Sequence, residues 1–97
     1  MLSDVDVARW MSDVYGAIRE NLDHDVGVSV HKAFAIETRS FDMAEVILTG
    51  KDGLCMADYL PILPQYIGHA QIAAGYVIGQ WRLATKGSDH LNETVQP

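Results

Sequence analysis

Residues 4 to 22 constrain this chain most. Val7, Met11, Val14, Ile18 and Leu22 recur at helical spacing, so at about 100° per residue they fall on one narrow face. Trp10, Tyr15 and Ala8 flank that stripe, while Asp6, Arg9, Asp13, Arg19 and Glu20 take the other side. The pattern is that of an amphipathic helix, whose apolar side must be covered by another element or another molecule. Ser3 and Asp6 resemble a capping box with Asp in place of Glu. Asp23-His24-Asp25 is expected to close the helix, with His24 favoured near the negative end of its dipole.

Residues 26 to 56 carry two patterns. Val26, Val28 and Val30 alternate as in a strand, whereas Ala33, Ile36, Ser40, Met43, Ala44 and Ile47 follow helical spacing. The reading adopted is a helix from about Ser29 to Thr49, broken near Ser40, with Gly50 as its C′ residue. The alternative takes Val46-Ile47-Leu48 and Leu54-Cys55-Met56 as strands joined through Lys51-Asp52-Gly53, an Asp-Gly hairpin signal.

Pro61 and Pro64 bracket a short turn, and Pro64 is placed to open a second helix that runs to Lys86 and stops at Gly87. One face of that helix holds Tyr66, Ile67, Ala70, Ala73, Ala74, Val77, Ile78 and Trp81. The opposite face holds Gly68, Ile72, Gly75, Gly79 and Leu83. A helix apolar on two sides is expected to be buried on two sides. Each helical glycine costs roughly 1 kcal/mol against alanine, a cost that close approach of a neighbouring helix would offset. Gly68, Ile72, Gly75 and Gly79 are therefore the predicted oligomer interface, with the neighbour drawn from this chain or from a second copy.

These elements predict a mainly α fold: a small helical bundle with a long N-terminal amphipathic helix and a long buried C-terminal helix. Residues 1–86 form a single helical domain and 87–97 a flexible polar tail. The alternative is an α+β fold with a short hairpin within 26–56. A chain of 97 residues has room for one domain.

Chemistry is sparse. Phosphate-binding glycine signatures are absent. His24 and His31 lack the spacing of a metal site, so neither a metal nor a cofactor is expected. Cys55, in the apolar run Leu54-Cys55-Met56-Ala57, reads as an inert core thiol. As the single cysteine it excludes an intrachain disulfide and favours a reducing, cytoplasmic setting. Tyr66 and His69 could line a small pocket, but no partner carboxylate is expected to share the His69 seam. The N-terminal residues lack the basic and apolar regions of a signal peptide. The apolar stretch from Tyr66 to Ala84 holds His69, Gln71, Gln80 and Arg82, too polar for a membrane span.

Charge placement points furthest. The formal net charge is −6, and residues 1 to 25 carry six acids against Arg9 and Arg19. Asp6, Asp13 and Glu20, each seven apart, form a ridge on the first helix. Arg9, between Asp6 and Asp13, would neutralise it in part. Seven scattered basic residues give no footprint for direct nucleic-acid binding. The expected function is that of a small acidic interaction protein, not an enzyme. It would bind, and by occupation inhibit, a macromolecule with a basic surface, as a homodimer or larger homo-oligomer. Asp6, Asp13, Glu20 and Trp10 would carry the partner. The alternatives are a structural subunit of a larger assembly, or a small ligand-binding domain or enzyme with its pocket near Tyr66 and His69.

Overall fold

The computed structural model describes residues 2–33 and 42–95, with side chains to residue 86. The order of elements is α1 (Asp4–Asn21), β1 (Gly27–Lys32), β2 (Asp42–Thr49), β3 (Cys55–Ile62), a 3-10 turn at Pro64–Tyr66 and α2 (Ala70–Val95). Three strands in the order β1-β2-β3 make one antiparallel sheet. The fold is thus α+β, and the predicted helical bundle is wrong in its middle third.

α1 forms as its stripe requires. The Ser3 hydroxyl accepts from the Asp6 amide at 3.1 Å and caps the first turn. The buried set is Val7, Trp10, Val14 and Ile18, so the covered face is centred closer to Trp10 than the stripe alone indicates. Arg19, not His24, closes the turn after the helix: its guanidinium donates to the Val26 carbonyl at 2.7 Å and to the Asp23 carbonyl at 2.6 Å.

The segment predicted as a helix from Ser29 to Thr49 contains β1 and β2 instead; the expected break at Ser40 lies outside the described residues. The hairpin alternative describes the next step correctly. Thr49 pairs with Cys55 and Ile47 with Ala57, across a turn in which Gly53 adopts φ +91°. Gly50 is part of that turn rather than a helix cap, and its amide donates to the Leu54 carbonyl at 2.7 Å. A side chain at Gly50 would stand 2.9 Å from Asp52 Oδ1 and 3.3 Å from the Trp81 ring, so glycine lets the turn and α2 meet. Pro61 sits inside β3, tolerated because β3 is an edge strand.

Ala44, Val46 and Leu48 of β2 and Leu60 and Ile62 of β3 join the buried faces of both helices in one core. Both helices therefore lie on the same side of the sheet. α2 contributes Ala70, Ala74, Val77, Ile78 and Trp81. Its regular turns begin at Ala70 rather than Pro64, and its backbone passes the predicted stop at Gly87. No helix among the described residues is long and apolar enough to cross a membrane.

α1 and α2 run in the same direction. Ser12 and Asp13 share a groove with Gly68–Ile72, while Glu20 and Asn21 share the next with Gly75, Gly79 and Arg82. This orientation brings the predicted acidic ridge and the predicted glycine face onto one surface.

Candidate functional site

That surface starts at a groove of about 610 Å³ between the helices, lined by Ser12, Asp13, Gly16, Ala17 and Glu20 of α1 and by Gly68, His69, Ala70, Gln71 and Ile72. A second depression of about 300 Å³ continues it, from Ala17, Glu20 and Asn21 across to Gln71, Gly75, Gly79 and Arg82. The floor is low because its residues are small: a Cβ placed on Gly16, Gly68, Gly75 or Gly79 would meet nothing within 4 Å. Among the described residues, then, no neighbouring helix sits on the glycine face. The predicted burial of α2 on two sides holds for one side only. Ile72 and Leu83, on the open side, are 72% and 66% exposed.

Among the described residues, the ridge carboxylates make no ion pair. The ion pairs among the described residues are His31–Glu45, Lys32–Asp42 and Lys51–Asp25. None involves Asp6, Asp13 or Glu20, and Arg9 makes no direct ion pair with the ridge among the described residues. Asp13 and Glu20 line the groove, whereas Asp6 lies at the cap of α1. Trp10 departs from its predicted role. At 2% exposure it is part of the core and cannot anchor a partner. Its position, three residues beyond Val7 and four before Val14, marks it as buried once the helical face is centred correctly.

His69, just before α2, has the carboxylate neighbours that its predicted seam lacks. Asp13 and Glu20 of α1 line its groove, so carboxylates and imidazole share one depression. Tyr66, exposed on the 3-10 turn, is not among the groove residues. Cys55 is exposed at the start of β3 rather than buried. No cluster of three or more His, Cys, Asp or Glu among the described residues could hold a metal ion.

The other face of the sheet carries a row of side chains that sequence spacing does not reveal. His31 on β1 pairs in register with Glu45 on β2, and Glu45 with Tyr59 on β3. His31 Nε2 lies 2.6 Å from Glu45 Oε1, and the Tyr59 hydroxyl donates to Glu45 Oε2 at 2.6 Å. Ser29 Oγ lies 3.2 Å from His31 Nδ1. The Tyr59 and His31 hydrogen bonds hold the Glu45 carboxyl below its ordinary range. Glu45 in turn pushes the Tyr59 phenol up. Hydroxyl, imidazole and carboxylate stand in the order a nucleophile and its base require. Yet none of the grooves described opens beside them, and both Glu45 oxygens are already taken within the row. The row's evident work is to tie three strands together.

Asp58 is the remaining unusual acid. It pairs with Val46 in register and so points to the helix side of the sheet, where its Oδ2 is buried without a hydrogen-bond partner. Desolvation raises its pKa.

Compared with protein families, curated proteins and solved structures, the chain matches none of them.

Proposed function

We propose that this chain is a small protein-binding module, not an enzyme, which presents the acidic face of α1 to a basic surface of another protein. The observation that carries the reading is that Asp6, Asp13 and Glu20 make no ion pair among the described residues, and that two of them border an open groove with a glycine and alanine floor. Carboxylates without partners on a rigid helix attract a basic surface at long range and hold its approach in register. A glycine floor lets the incoming chain come close to the backbone. A partner whose basic surface otherwise meets phosphates would be inhibited by this occupation.

Charge reversal tests it. The triple variant Asp6→Lys, Asp13→Lys and Glu20→Lys and the wild-type chain serve as baits side by side, and each captured protein is purified and titrated against both baits at low and high salt. The expected result is a partner that binds wild type, weakens as salt rises and loses binding to the variant at unchanged thermal stability. A partner that binds both baits equally overturns the reading. The same screen with metabolites, read as ligand-dependent stabilisation, would favour the pocket alternative around His69 if one of them shifted the melting temperature.

A further inference from the structure

The open side of α2 is more than a run of glycines. Ile72, Tyr76, Gly79 and Leu83 follow one another at intervals of four, three and four residues, the spacing of a seam between two packed helices. Ile72, Tyr76 and Leu83 are 72%, 54% and 66% exposed, and nothing stands within 4 Å of a Cβ built on Gly79. Three large side chains on one helical line that no described residue covers are costly to leave in water. Along one border of the seam lie Gly75 and Arg82, in the groove that Glu20 also lines. Arg82 and Glu20 are not joined by an ion pair among the described residues.

We propose that a second copy of this chain covers the seam, its α2 lying antiparallel across a two-fold axis at the level of Val77 and Ile78. This register is selected by fit. Ile72 meets the partner's Leu83, and Tyr76 meets the partner's Gly79, so the largest side chain of the seam faces its one gap. The two-fold operation repeats both contacts. In an antiparallel helix pair the same border of each helix adjoins the other, which brings Arg82 alongside the partner's Gly75. There the absent side chain lets the guanidinium pass towards the partner's Glu20. Size and charge therefore both complement a second copy. A parallel pairing, by contrast, sets Tyr76 against Tyr76 and Gly79 against Gly79, and leaves bump and gap unmatched. Glu20 is shared with the acidic ridge proposed above, so the decisive contacts are those of Tyr76, Gly79 and Arg82, which that ridge does not use.

The test uses the full chain in analytical ultracentrifugation, with circular dichroism and thermal melts to verify that each variant folds. Wild type is expected at twice the mass of the chain. Gly79→Tyr sets tyrosine against tyrosine and is expected to sediment as a monomer. Adding Tyr76→Gly to it exchanges bump and gap and is expected to restore the dimer. Glu20→Arg alone and Arg82→Glu alone each create like-charge pairs, with a dimer dissociation constant raised roughly tenfold. Mixed in equal amounts, these two variants place opposite charges together again and are expected to recover wild-type affinity as a heterodimer. A wild-type chain that stays monomeric overturns the proposal. So does a folded bump-and-gap double variant that stays monomeric, or a mixture no tighter than its components.

Discussion

At the scale of single residues, two acids set opposite pH dependences. Glu45 has a folded pKa below its ordinary 4.5, first through the Tyr59 hydrogen bond and then through His31. A depressed carboxyl contributes stability that is present above its unfolded pKa and lost as pH falls through the folded value. Glu45→Gln should therefore lower the melting temperature near neutrality, and the gap to wild type should close as a melt series descends below about pH 4. Asp58 behaves in reverse. Its folded pKa lies above 3.8 because burial penalises the carboxylate. Its effect on stability is most favourable below the unfolded pKa and is lost as pH rises through the folded one. Asp58→Asn should then raise the melting temperature at pH 7 and change it little near pH 3, in the same melt series. Neither environment is legible in the sequence. Glu45 meets His31 and Tyr59 across 14 residues on either side, and only the strand register makes them neighbours. The burial of Trp10 is legible in the sequence, since it lies at helical spacing from Val7 and Val14, although the stripe through Met11 and Leu22 leaves it on the flank.

At the scale of elements, the helix of residues 4 to 22 could be read directly because one side is apolar and the other charged. β2 could not. As the central strand it carries buried residues on both faces: Ala44, Val46 and Leu48 point to the helices, while Met43, also buried, has the opposite parity. A strand apolar on both sides loses its two-residue alternation, and a short apolar run then fits helical spacing equally well. The better signals were the alternating valines of β1 and the Asp52-Gly53 turn. α2 was legible as a helix, but which of its sides is covered depends on where the sheet and α1 lie. The hairpin and α2 are coupled at Gly50, and Gly50→Ala should cost about 1–3 kcal/mol, since its Cβ would crowd Asp52 and the Trp81 ring. Denaturant unfolding would measure that loss. A neutral result would mean that the turn shifts away from Trp81 without penalty.

At the scale of the whole molecule, a single core joins both helices to one face of the sheet. Leu48 of β2 is fully buried within that core. Leu48→Ala should destabilise the chain by about 2–5 kcal/mol. Tryptophan fluorescence, reporting Trp10 and Trp81, and far-ultraviolet circular dichroism should lose signal in one coincident transition. Separate transitions would show that the helices and sheet unfold independently. The parallel packing of α1 on α2 has a further consequence for synthesis. α1 ends at Asn21 and α2 begins at Ala70, so the apolar side of α1 leaves the ribosome well before the helix that shares its core. Of the described elements, the earliest in the chain is completed by the latest. Until α2 emerges, the nascent chain exposes Val7, Trp10, Val14 and Ile18, the kind of surface that chaperones recognise and that aggregation exploits.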